Sequence, residues 1–274
     1  MIRVVIGAVS LNVGLPCAAQ AVSTLDKIKE RGYIIAGSKE DCAPFGFRDK
    51  TGDIVGFDVD ICRYIANKLG VELKVVPVTS AIRVTAVQNE TIDISAATIT
   101  HTKSRDKVID FSITYFLDGQ KFLVKKGSGI RSYRDLAGKR ICTVRATTSE
   151  RRAKELQPQA KVISFNSYRE CFVALKNGVV DAFTTDSTIL LGFKASEPDP
   201  ENYEIVGKFL SEEPYGLGLL QNDSKWRDFV NNCLIEMWNK GEWLKIYNKW
   251  FGPGQKYEYS LEELDFKMST WPLR

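Results

Sequence analysis

The sequence predicts an α/β fold with mostly parallel strands in two lobes, and three observations carry that expectation. Strand-like and helix-like segments alternate from about residue 22 onward, as in parallel strands joined by crossover helices. Segments 86–94 and 174–182 echo each other: each runs from a helix end through Asn89 or Asn177 to Asp93 or Asp181 opening a strand. Two lobes of like construction, each delivering a strand end to a shared cleft, would produce such an echo, although a repeat this short also arises by chance. The strand ends carry Thr98, Thr100, Thr184, Thr185 and Asp186, at the carboxyl edge where open α/β sheets bind ligands.

The elements follow in order. Residues 32–37 form a short apolar strand running into a polar loop. Ile61, Ile65 and Leu69 lie at helical spacing over 59–69, with Gly70 as the stop. Residues 71–78 form the next strand. Ser80 then stands where a helix N-cap belongs, for a helix reaching about Asn89. Residues 139–144 read as a strand and 168–173 as a helix. Over 224–251, Trp226, Phe229, Val230, Cys233, Leu234, Met237 and Trp238 recur at helical spacing, followed by Trp243, Tyr247, Trp250 and Phe251; this aromatic stripe reads as core.

At 274 residues, with 44% hydrophobic and 26% charged residues, the chain can bury a real core as one large or two ordinary domains. A formal charge of +4, with cations scattered among acids, gives no argument for nucleic acid. Arg3, an apolar run and an Ala19–Ala21 ending have the layout of a secretory signal cleaved after Ala21; the rivals are a first core strand and a lipid anchor at Cys17. Cleavage leaves Cys42, Cys62, Cys142, Cys171 and Cys233, an odd number, so at least one stays unpaired. Cys142 and Cys171 fall on a strand and the following helix and are the first candidates for a bridge, against two separate buried thiols; Cys42 with Cys62 is a weaker pair. With His101 the only histidine and no Cys-x-x-Cys, zinc and thioredoxin-like chemistry have little to stand on, and no cofactor is implied. Serine-elbow, phosphate-loop and zinc-protease motifs are absent as well.

The binding chemistry is concentrated over residues 95–112. Arg105 lies just past a strand end lined with Thr98 and Thr100, and a guanidinium presents a planar fork matching a carboxylate. The alternative is a surface arginine closing a turn. Thr147 and Thr148 sit at a strand-to-helix turn, where hydroxyls and free amides also bind carboxylates.

The order of these motifs, with Gly56, Phe57, Asp58, Val59 and Asp60 and then Thr79, Ser80 and Arg83 before them, resembles the polar amino-acid binding proteins of bacterial ABC transporters, extracellular solute-binding family 3, over residues 25–252. The resemblance implies a periplasmic-binding-protein-like fold: two α/β lobes with a ligand cleft and two hinge crossings near 115–120 and 209–215. Lobe 1 would comprise 22–115 and 215–274, and lobe 2 residues 120–210. It implies a periplasmic protein, monomeric, that closes on a free amino acid and docks on a permease and ATPase complex. Asp186 stands where the family receives the α-ammonium, although locally it also reads as a helix N-cap.

Among subgroups the chain looks most like the glutamate and aspartate binders. Lys39 replaces their arginine, Tyr168 replaces a histidine, and Ala146 stands where the family often has glycine. The residues expected at the ligand are therefore Lys39, Phe57, Ser80, Arg83, Thr98, Thr100, Arg105, Thr147, Thr148, Tyr168 and Asp186. Phe57 would face the ligand's aliphatic part or else pack in the core. Alternatives left open are another polar amino acid such as glutamine, a dehydratase-like lyase on the same fold, and the ligand-binding portion of a receptor.

Overall fold

The computed structural model describes residues 22–260; the expected signal segment and the residues after 260 lie outside them. In chain order the elements are α1 (Thr24–Arg31), β1 (Tyr33–Ser38), β2 (Asp41–Cys42), β3 (Gly46–Arg48), β4 (Ile54–Val55), α2 (Phe57–Leu69), β5 (Glu72–Pro77), α3 (Arg83–Gln88), β6 (Ile94–Ala96), β7 (Asp110–Phe111) and β8 (Phe116–Asp118). There follow β9 (Gln120–Lys125), β10 (Arg140–Val144), α4 (Thr148–Leu156), β11 (Lys161–Phe165), α5 (Tyr168–Lys176), β12 (Ala182–Asp186), α6 (Ser187–Ser196), β13 (Tyr203–Val206), β14 (Glu213–Tyr215), β15 (Gly218–Leu219), α7 (Ser224–Asn239) and α8 (Glu242–Phe251).

Two five-stranded sheets organise the lobes, in the orders β5-β1-β6-β15-β7 and β11-β10-β12-β9-β13. Between them the antiparallel pair β8 and β14 joins segments 116–118 and 213–215. The sequence echo has a structural cause. Asn89 and Asn177 end α3 and α5, which precede β6 and β12, paired in parallel with β1 and β10 respectively. Asp93 then accepts the Ile35 amide on β1 at 2.6 Å, and Asp181 accepts the Arg140 amide on β10 at 2.8 Å. In each lobe one carboxylate fastens the incoming strand to its neighbour.

Local signals explain the helices. Ser23 caps α1 and Gly32 ends it in the left-handed region at φ 79°. Ser167 and Glu170 form a reciprocal capping box on α5. The stripe on α7 and α8 is core: Trp226, Val230, Leu234, Met237, Trp243 and Phe251 are buried. The Trp226 indole donates to the Asp93 carbonyl and that of Trp243 to the Tyr115 carbonyl, fixing both helices to the first lobe.

Two local expectations fail. Helix α3 begins at Arg83 without a side-chain cap, because the Ser80 hydroxyl is engaged by Lys39 instead. The cysteines at 42, 62, 142, 171 and 233 are all free and buried. Cys142 and Cys171 are neighbours, but each thiol donates to a carbonyl on the other's side of the β10–α5 contact, to Cys171 O at 3.3 Å and Thr143 O at 3.1 Å.

Candidate functional site

The strand ends, the first turn of α3 and the N-termini of α4 and α5 converge where the lobes meet. Lys39, just past β1, is buried and its ammonium donates to the Ser80 hydroxyl at 2.6 Å. Its pKa is pushed down to about 7, first by burial and then by the Arg83 charge. The Tyr168 ring, at the start of α5, stands 5.4 Å from the same ammonium. Lys39 and Tyr168, with Thr79 and Val144, line a cavity of about 490 Å³.

Arg83 is the buried centre of the cluster. Its guanidinium donates to the carbonyls of Ala97 at 2.6 Å and Thr98 at 3.0 Å, while Nε has no partner among the described residues. Thr98 adopts φ 49°, a strained value for a β-branched residue, and is held there by its amide, which donates to Asp58 Oδ2 at 2.9 Å. Asp58 also accepts the Tyr115 hydroxyl at 2.8 Å, and burial pushes its carboxyl up to about 7.

Arg105 reaches across the lobes, donating to the Thr100 carbonyl at 2.7 Å and the Ala146 carbonyl at 3.3 Å. Burial and the Arg83 charge bring its pKa down to about 9. With Thr147 and Thr148 it lines a second cavity of about 210 Å³. Thr147 caps α4 through the Glu150 amide. Thr148 and Thr100, from opposite lobes, both donate to Glu213 Oε2, at 2.8 and 2.7 Å.

Asp186 occupies the N-cap position of α6 but makes no cap bond. Asp118 takes that role, accepting the amides of Ser187 and Thr188 at 3.1 Å each. The Asp186 carboxyl is thereby left to accept the Tyr215 hydroxyl at 2.5 Å. Burial, then the Glu213 and Asp118 charges, push its pKa well up, so the carboxyl holds its proton unless a cation beside it favours the charged form.

Lys39, Ser80, Arg83, Thr98, Thr100, Arg105, Thr147, Thr148, Tyr168 and Asp186 thus come together. Phe57 does not join them: it is fully buried, edge-on to Phe45, Phe116, Trp243 and Phe251 and stacked on Tyr115. Sequence reasoning missed Asp41, Asp58, Asp118, Glu213 and Tyr215. Asp58 lay inside a motif already singled out; Glu213 sits beside Glu212, and nothing local separates the buried acid from its neighbour.

Fold and site together define a two-lobed α/β binding protein with a charged cleft between its lobes. Residues 34–253 match the bacterial extracellular solute-binding proteins, family 3, and the chain belongs to that family. It is 40% identical over 232 residues to the ABC transporter glutamine-binding protein GlnH of Bacillus subtilis, covering 83% of this chain and 84% of that one. It is 34% identical over 245 residues to the glutamate/aspartate import solute-binding protein of Salmonella typhimurium, covering 85% and 81%. An ancestral arginine-binding protein solved with bound glutamine superposes with a TM-score of 0.78 at 39% identity, covering 81% of this chain and 99% of that one. The chain is an amino-acid solute-binding protein of the ABC transporter type, from a family of extracellular proteins, and these relatives are transport binding proteins rather than enzymes.

Proposed function

We propose that the cleft closes on a free amino acid with an acidic side chain, glutamate or aspartate, and delivers it to an ABC permease. Arg105 and the α4 N-terminus receive the α-carboxylate, Asp186 the α-ammonium, and Arg83 with Lys39 and Ser80 the side-chain carboxylate. The observation that carries this reading is the buried Nε of Arg83, without a partner among the described residues, beside Lys39, whose pKa that guanidinium helps to depress. Asp41, Asp58 and Asp186 lie within electrostatic reach, yet neither cation forms an ion pair among the described residues, and a second carboxylate on the ligand would answer both.

Glutamine is the second reading, favoured by the Bacillus subtilis relative. A Lys39 poised near neutrality also tolerates an amide.

Truncating one partner of a buried charge pair costs about 2–5 kcal/mol. Arg105→Ala and Asp186→Ala should therefore each weaken binding of any amino acid by at least about thirtyfold in calorimetry. Either variant keeping the unaltered affinity, with circular dichroism unchanged, would remove that residue from the ligand.

A further inference from the structure

The segment carrying Asp41 and Ala43 belongs to the first lobe, yet it is docked on the second at two points. Asp41, on β2, accepts through Oδ2 the amides of Tyr168 at 3.0 Å and Arg169 at 3.4 Å, the first two residues of α5. A helix leaves its first amides without intrahelical acceptors, and the positive end of its dipole favours a carboxylate. The capping box serves other donors in this turn: Ser167 Oγ takes the Glu170 amide, and Glu170 Oε2 takes the amides of Ser167 and Asn166. The two amides it omits are the two that Asp41 accepts, so the end of α5 is completed by a side chain from the opposite lobe, 127 residues away in sequence.

The second point lies on α6. A Cβ built on Gly192 would stand 1.9 Å from the Ala43 carbonyl oxygen. Gly192 has no left-handed backbone to explain it, since its φ is not among the positive values. The absence of a side chain there makes room for the first lobe. Asp41 borders the cavity of Lys39 and Tyr168, whereas Ala43 and Gly192 line neither ligand cavity but an adjoining one that shares Asp41 and Arg169.

We propose that this edge is a closing latch: Asp41 seats on the α5 N-terminus and Ala43 on the bare face of α6 at Gly192, and together they set how long the closed cleft persists. The latch rests on the reading that the two lobes close around a ligand, and it adds positioning residues that need not touch that ligand.

The test is stopped-flow binding of L-glutamate and L-glutamine to the full chain and to its Asp41→Ala, Asp41→Asn and Gly192→Ala variants. A latch acting after encounter raises the dissociation rate while sparing association. Asp41→Ala and Gly192→Ala should each speed dissociation by about threefold to tenfold, with association within about twofold. Asp41→Asn, which keeps an acceptor oxygen without the charge, should fall between. The double variant should show less than the product of the two single effects, because each undocks the same edge. The latch is overturned if dissociation changes by less than about twofold in both single variants, or if the loss lies in association alone.

A ligand-independent arm separates this from failure of the proposed ligand. Spin labels placed through Glu30→Cys and Glu201→Cys report the distance between lobes. Should neither amino acid bind, Asp41→Ala must still lower the short-distance, closed fraction of that distribution in the free protein, and an unchanged closed fraction would refute the latch.

Discussion

Lys39 offers a measurement that separates an acidic from an amide ligand by counting protons. Burial and Arg83 bring its pKa from 10.5 to about 7, so at pH 8 only about a tenth of the molecules carry the charge, and at pH 6 about nine tenths do. A ligand carboxylate placed against the ammonium favours the charged form. Binding an acidic ligand should therefore take up about 0.9 proton at Lys39 at pH 8 but only about 0.1 at pH 6. Its affinity should fall by up to about tenfold per unit of pH above 7, because the free protein must first recover a proton. Asp186 and the ligand's own ammonium titrate alike for glutamate and glutamine, and an Asp58→Asn background removes the other group near 7, so the difference between the two ligands isolates Lys39. Calorimetry in phosphate and in Tris, buffers of unlike ionisation enthalpy, reads the uptake directly. Lys39→Arg, which keeps the charge but does not titrate, should abolish the difference. Equal proton uptake for both ligands at pH 8, or a difference surviving in Lys39→Arg, would refute the placement of Lys39 against a side-chain carboxylate.

Two further expectations concern the frame of the site. Ala146 adopts φ 62°, where an alanine is strained by about 1–2 kcal/mol, partly offset by the greater unfolded-state entropy of glycine. Ala146→Gly should raise the melting temperature by about 1–3 °C, and a fall would show that the strain is absent. Asp58→Ala leaves the Thr98 amide and Tyr115 hydroxyl without their acceptor, at about 1–3 kcal/mol each in a denaturant titration. Asp58→Asn should cost much less near neutral pH, because burial already holds this carboxyl partly protonated there. Since the folded pKa of Asp58 is raised, its contribution is fullest below pH 4 and is lost as pH rises through about 7; Asp58→Asn should remove that part of the pH dependence.

Helix ends, the aromatic stripe and the paired Asn-to-Asp segments were legible because their signals are local: a cap or a periodicity needs only its own neighbours. The binding cluster was legible where its chemistry is unusual for its place, as with Arg105 beyond a hydroxyl-lined strand end. Ser80 had the local look of a helix cap, and only the fold brings Lys39 from 41 residues away to claim its hydroxyl. Asp186 kept the cap position while Asp118 made the cap bonds, an exchange between residues 68 apart that no spacing reveals. Asp41 and Glu213 act between lobes, so their roles depend on how the lobes meet. Phe57 shows the opposite failure, a motif residue whose ring is fixed by core packing against five others.

The account depends most on Arg83 meeting a second negative charge on the ligand, and calorimetry of the full chain at neutral pH with glutamate, aspartate, glutamine, asparagine and arginine tests this directly. Charged hydrogen bonds are about twice as strong as neutral ones. Glutamate or aspartate should therefore bind at least about tenfold more tightly than its amide, and Arg83→Ala should shrink that ratio. Glutamine or arginine binding more tightly than both acids would contradict the assignment and leave a binder of another polar amino acid.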